Sequence, residues 1–294
     1  NGMFAIAIYD KIKKKIYLVR DRVGIKPLYY SNLNNLLIFS SEIKGIINYP
    51  DFQKILNFNA LSSYLSFRYP MGNSTFFKNI IKVPPGSYVE IDIGNKLTRK
   101  IKYWNIPKIN STNKFNEEYY FNKLDNLLNN SIKKQLVSDV PLGILLSGGL
   151  DSSILSSIAS RNISGRLKTY SVGFKEEKYD ETSKAKIISN YIGSEHTEVF
   201  VEKNDFFENL DKMVKIKDSP LSIPHEYPIY LLSKKMREDI KVVLSGEGAD
   251  EFFGGYSRVQ KSAFDFLKAK SFRGISKSKF LSKIFSIDNN FDFN

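Results

Sequence analysis

The sequence contains no cysteine. Disulfides, cysteine-ligated metal centres and a thiolate nucleophile are therefore excluded from these 294 residues. No apolar run is long enough to span a bilayer, and no signal peptide is visible. Nor does the chain begin with methionine. It enters an apolar strand within three residues of Asn1, so a fragment of a longer protein is expected, and a missing targeting signal says little. The expectation is a cytoplasmic protein with no membrane partner. No internal repeat is found. Negative charge is also scarce, with 31 acidic against 44 basic residues and a net charge of +13. Such an excess raises a nucleic-acid-binding reading. The basic residues are mostly lysine, however, spread among Asn, Ile and Tyr along the whole chain. That distribution fits a solvated lysine surface better than a focused nucleic-acid patch. Hydrophobic residues make up 42%, enough for real cores, and the length accommodates two domains.

The first third reads as antiparallel sheet. Strands are expected at Met3–Tyr9, Lys15–Arg20, Leu28–Tyr30, Leu36–Ser40 and Ser87–Ile93. Short helices fit 42–48 and 61–67. Arg20 and Asp21, in RDRVGIKPLYY, should hold a turn together. The stretch 104–115, WNIPKINSTNKF, has the composition of a linker. A long helix follows at 117–137, with Leu124, Leu127, Leu128, Ile132 and Leu136 on one face. Beyond it, strands at 144–146, 168–174, 198–201 and 240–244 alternate with a helix that starts at 151–153 and helices at 183–191 and 228–237. That alternation predicts a parallel, doubly wound sheet, in which ligands sit at the carboxyl ends of strands. Residues 257–294 carry few clear signals.

Two loops fall at such strand ends. The first is SGGLDSS, Ser147–Ser153, between the apolar run Ile144–Leu146 and a helix. A helix N-terminus offers free amide N–H groups and partial positive charge, which suit a phosphate. No lysine follows the glycines, unlike the common phosphate loop. An Asp follows instead, and an Asp beside phosphates requires a divalent cation between them, so Asp151 reads as a Mg²⁺ ligand. The alternative is a tight strand-to-helix turn in which Asp or Ser caps the helix. The second loop, LSGEGADEFFGGY, places Glu247, Asp250 and Glu251 within five positions among small residues. These acids suit metal binding on a pyrophosphate leaving group, or proton handling at a carbonyl. A solvated acidic turn is the plainer alternative.

SGGLDSS and LSGEGADEFFGGY, with SVGF between them, resemble the synthetase domain of the glutamine-hydrolysing asparagine synthetase family. NGMFAIAIYD, RDRVGIKPLYY, SSEIKGI, VPPGSYVEID and YW resemble the later part of that family's class II glutaminase domain. The resemblance implies an α/β fold: a doubly wound parallel-sheet ATP-pyrophosphatase domain preceded by part of an αββα glutaminase sandwich. It divides the chain into a glutaminase part at 1–105, a linker at 106–115 and a truncated synthetase part at 116–294. The implied activity is adenylation of aspartate by ATP with release of pyrophosphate, followed by attack of ammonia from glutamine. The implied cofactors are ATP and Mg²⁺. The expected partners are aspartate and glutamine or ammonia, with a homodimer as the assembly.

Carried over position by position, Leu145, Val172, Ser245 and Gly246 match residues that contact the adenosine of ATP. Ser147, Gly148, Gly149, Leu150, Asp151 and Ser152 match the pyrophosphate loop. Asp151 and Asp250 match acids associated with Mg²⁺, and Asp250 and Glu247 are the expected catalytic acids. Asp218, in KDSP, matches a family acid near the active cleft, but an Asp before Ser-Pro is more often a turn. Asp180 and Glu181, in KYDET, match a family pattern, with capping of the following helix as the plainer alternative. His196 matches a family histidine, with an exposed strand-edge position as its expected place. Two alternatives share these loops or the charge: a relative that amidates a sugar acid or closes a lactam, and a basic nucleic-acid-binding protein.

The departures are as informative. The family's glutaminase uses an N-terminal cysteine nucleophile, which this chain lacks. Asn1 stands where many members have an Asp that binds the glutamine amino group; an Asn keeps an acceptor but loses the charge. With no thiolate available, the 294-residue polypeptide is expected to release no glutamate from glutamine above background. Release that tracks the purified protein through chromatography would refute this.

Overall fold

A computed structural model describes residues 2–33, 36–95, 97–107, 116–175, 180–202 and 204–256. It divides into two compact units. One comprises residues 1–122 and 201–234, the other 123–200 and 235–294. The second stretch of the first unit was not foreseen, because local strand and helix patterns do not say which body a helix packs on.

In the first unit, β1 (Ala5–Asp10), β2 (Lys15–Arg20), β3 (Tyr29–Leu33), β4 (Leu36–Ser40), α1 (Ile43–Ile47), α2 (Phe58–Phe67), β5 (Ile81–Lys82), β6 (Ser87–Asp92) and β7 (Thr98–Lys102) follow in order. They build two antiparallel sheets, β1-β2-β6-β7 and β4-β3-β5. Successive side chains on a strand face opposite ways, and β3 shows it. Tyr30 joins Leu18, Leu28, Val83, Val89 and Ile91 in one core, while Tyr29 packs with Ile43, Ile46 and Ile80 in another. Strand β7, sequence TRKIK, is absent from the sequence reading because its charged face belongs to an edge strand.

Chain order continues with α3 (Glu117–Gln135), β8 (Leu142–Leu145), α4 (Leu150–Ser160), β9 (Lys168–Phe174), α5 (Thr182–Ile192), β10 (Glu195–Val201), α6 (Asn204–Lys217), α7 (Glu226–Asp239), β11 (Val242–Leu244) and α8 (Ala249–Phe253). The sheet order is β10-β9-β8-β11, with β8 parallel to both β9 and β11. Leu142 and Ile144 of β8 face a core built with Ile132, Ile158, Ala159, Leu167 and Leu244, where α3 and α4 cover the sheet. Gly143 faces the other way, where a side chain would run into Ile240 and Tyr170. Ile240 directly follows α7, and the Tyr170 hydroxyl donates to Asp239 at the end of that helix, so α7 ends on this second face. The apolar stripe expected along α3 is only partly covered. Leu128, Ile132 and Leu136 pack on the core, but Leu127 is 59% exposed. An apolar groove of about 320 Å³, lined in part by Ile154, Ile188 and Tyr191, contains none of the expected site residues.

Candidate active site

The strand order reverses between β8 and β11. Chain connections leave β8 toward β9 on one side and return to β11 on the other. In open α/β sheets the crevice outside the carboxyl ends at this reversal is where ligands bind. Both glycine loops emerge there, one from each strand.

The first loop is stitched by its own serines. The Ser147 N–H donates to Ser152 Oγ at 3.3 Å, and the two hydroxyls lie 3.0 Å apart. Ser147 Oγ accepts from the Gly149 N–H, while Ser152 Oγ and Ser153 Oγ donate to the Gly149 carbonyl. Gly149 occupies the N-cap of α4, with no side-chain cap. Asp151 is therefore not the capping residue. It lies in the first turn, exposed, with no hydrogen-bond or ion-pair partner among the described residues. Leu150 beside it is also exposed. Gly148 has φ +76°, and a Cβ there would lie 2.6 Å from Lys184 Cβ and 2.7 Å from the Ala185 backbone N. The loop is thus seated on the first turn of α5. Sequence reasoning passes over Lys184, since nothing local marks it as a neighbour of Gly148.

The second loop meets the first. A Cβ on Gly246 would lie 3.1 Å from Asp151 Cβ and 3.2 Å from the Ser152 N. Gly246 therefore approaches the start of α4 directly, and a side chain there would press on it. Glu247 is exposed, Gly248 turns the chain at φ +96°, and half-buried Asp250 falls in the first turn of α8. The Asp250 carboxylate lies in the space that a side chain on Gly255 would take. Leu145 and Val172 sit toward the carboxyl ends of the adjacent strands β8 and β9, both partly exposed. The structure thus brings Gly246 against Asp151 and Ser152. Asn1 and residues 108–115, most of the expected linker, lie outside the described residues.

Among the described residues no three His, Cys, Asp or Glu side chains come together as a metal cage. Mg²⁺ is commonly held by one or two carboxylates plus substrate phosphates, so Asp151 and Asp250 are each of a type that suits it.

Neighbouring polar residues fix the frame. Asp180 accepts from the Phe174 N–H, the Thr182 N–H and Thr182 Oγ1 (3.2, 3.4 and 2.7 Å), tying the end of β9 to the start of α5. The Thr182 hydroxyl, against some burial cost, holds the Asp180 carboxyl below its ordinary range. His196 corrects an expectation. It lies on the outermost strand, but its side chain is only 5% exposed, bonded to Thr169 at 2.9 Å and Ser171 at 3.1 Å. Burial pushes its pKa down; Glu198 opposes and Lys186 assists. Burial thus favours the neutral imidazole, which braces β10 against β9.

In the first unit, Arg20 donates to the carbonyls of Lys26, Val83 and Gly24 at 2.6–2.8 Å. Asp21 accepts from the N–H groups of Phe4, Gly24, Ile25 and Lys26. Burial works against the Asp21 carboxylate, but those backbone donors outweigh it and keep its pKa low. The pair holds its turn as expected.

A doubly wound α/β unit with two glycine loops meeting at its strand-order reversal, alongside a two-sheet antiparallel unit, defines the structural class. The chain belongs to the asparagine synthase family, whose profile matches residues 123–286; that of the glutamine amidotransferase domain matches 1–104. A Methanocaldococcus jannaschii protein named among the glutamine-hydrolyzing asparagine synthetases is 36% identical over 272 residues, covering 91% of this chain and 52% of the relative. Glutamine-hydrolyzing asparagine synthetase 1 of Bacillus subtilis is 35% identical over 257 residues, covering 87% and 40%. The chain spans about half the length of these curated relatives or less. Among the described residues no helix is long and apolar enough to cross a membrane.

Proposed function

We propose that the protein carrying this chain makes asparagine from aspartate, ATP and glutamine-derived ammonia. The aspartate side-chain carboxylate attacks the α-phosphorus of ATP, and pyrophosphate leaves. Ammonia then attacks the acyl carbon of β-aspartyl-AMP, and AMP leaves with the former carboxylate oxygen. The Ser147–Ser152 loop receives the pyrophosphate, on the N–H groups left without an intrahelical partner in the first turn of α4. Leu145, Val172, Ser245 and Gly246 border the adenosine. Asp151 and Asp250 would hold Mg²⁺, which when bound neutralises charge on the leaving group. Glu247 handles the proton of the attacking ammonia. In this reading residues 1–105 belong to the amidotransferase part, 106–115 to a linker and 116–294 to the synthetase part. Cytoplasmic location and a homodimer belong to the same proposal.

One observation carries the reading: Gly246 seated on Asp151 and Ser152, which joins two acid-bearing glycine loops from distant parts of the chain. Aspartate-dependent pyrophosphate–ATP exchange by the full-length protein tests it. Exchange stimulated by another carboxylate and not by aspartate would replace aspartate as substrate; no exchange at all would overturn adenylation.

Asp151→Asn gives a sharper check. The side chain is exposed and unpartnered, so stability should change by only about 0.5 kcal/mol. Exchange at limiting Mg²⁺ should nevertheless drop steeply, because a neutral amide is a poorer ligand. Unchanged exchange would remove Asp151 from the metal site.

A further inference from the structure

Residues 216–221, from the end of α6 into the connection to α7, are fastened to α1 and α2 inside the first unit. The Lys44 backbone N–H donates to Asp218 Oδ2 at 2.9 Å, and Lys44 Nζ lies 3.3 Å from the same oxygen. Lys44 Nζ also donates to the Ile216 carbonyl at 2.7 Å, and Glu42 holds it from the other side at 2.8 Å. Three residues past Asp218, the Leu221 carbonyl accepts from the Tyr64 hydroxyl. The adjacent residue, Lys217, reaches forward instead, pairing with Glu226 on α7 at 2.6 Å, and Glu226 also accepts from the Ser222 N–H. Consecutive residues 217 and 218 thus link α1 to the start of α7. From α7 the chain runs directly into β11 and the loop bearing Glu247 and Asp250.

The Asp218 side chain is 9% exposed and its backbone is left-handed, at φ +57°. Asp tolerates that conformation better than most residues. A nearly buried carboxylate deprived of its cation is left desolvated and uncompensated, so the pair resists being opened. Its two ends also differ in kind. Lys44 lies in the part matched by the amidotransferase profile, and Asp218 in the part matched by the asparagine synthase profile.

We propose that the Lys44–Asp218 pair positions the 216–221 segment so that ammonia released in the amidotransferase part is consumed in amide formation rather than lost. The inference rests on the function proposed above. Both are positioning residues; neither touches the reacting atoms.

The test compares nitrogen sources in the full-length protein. Lys44→Met removes the charge and keeps the stem and the backbone N–H. Asp218→Asn keeps an acceptor and tolerates the positive φ. With ammonium chloride, both variants should form asparagine within about twofold of wild type, a window well below typical coupling effects. With glutamine, glutamate released per asparagine formed should rise about fivefold or more, the lower range of such coupling. Lys44→Arg should restore the wild-type ratio. An unchanged ratio in both variants overturns the inference, as does a parallel fall with both nitrogen sources. A wild-type protein that forms asparagine from neither source overturns the proposed function and this inference with it.

Discussion

Glu247→Gln in the full-length protein is expected to release pyrophosphate at close to the wild-type rate while forming amide about a hundredfold more slowly. The side chain is exposed and without a partner among the described residues. It follows directly on Gly246, which is seated against the start of α4. Gln preserves size and hydrogen bonding but cannot accept the proton that ammonia must shed after attack. Asp250→Asn should fail earlier. Asp250 lies beyond the turn at Gly248, in the first turn of α8. Negative charge builds on the leaving pyrophosphate in the first transition state, and an acid that holds a cation there acts at that step. Single-turnover experiments that follow pyrophosphate and asparagine separately distinguish the two variants. Equal loss of pyrophosphate release in both would mean that the acids work as one metal-binding unit, and the division of roles would be abandoned.

The adjacent glycines of the first loop should respond very differently to alanine. Gly148 has φ +76°, a region that costs an L-residue roughly 1–2 kcal/mol. Its new methyl would also press on the Ala185 backbone N at 2.7 Å and the Lys184 carbonyl carbon at 2.8 Å. Backbone cannot swing aside as a side-chain tip can, and overpacking of this kind costs about 1–3 kcal/mol more. Against a whole stability of about 5–15 kcal/mol, Gly148→Ala is a severe change. Gly149 has φ −72°, and a methyl there would meet only Ser147 Oγ at 3.3 Å. Gly149→Ala should therefore stay within about 1 kcal/mol of wild type. Urea unfolding of both variants is the measurement. Equal destabilisation would show that the close approach to α5 is not what requires Gly148.

The loops were legible because their chemistry is written locally: glycines, serines and acids in fixed order after an apolar run. Strand β9 was legible to the residue, Lys168–Phe174, and so was β2. Helix α6 was missed, although Leu210 and Met213 fall at helical spacing; its many charges hide the stripe. The exposure of Leu127 and the burial of His196 depend on what packs opposite, which a periodic pattern does not state. The contact of Gly246 with Asp151 is likewise non-local, and so is the attachment of 216–221 to α1. A sequence names the groups that a site will use. Which of them meet is decided by strand order.

That order also has a consequence in time. Leu142 of β8 and Val242 of β11 are partners across a parallel pair, a hundred residues apart along the chain. At a synthesis rate of about 5–20 residues per second, β8 emerges from the ribosome roughly 5–20 seconds before its partner. For that interval one side of an apolar strand, Leu142–Leu145, has its N–H and C=O groups unmatched, a template for pairing with the wrong chain. Nascent chains stalled before residue 240 should therefore recruit chaperones and aggregate more readily than those stalled past 256. They should also fail to retain an immobilised nucleotide, because the glycine loop after β8 still lacks the second loop that packs against it.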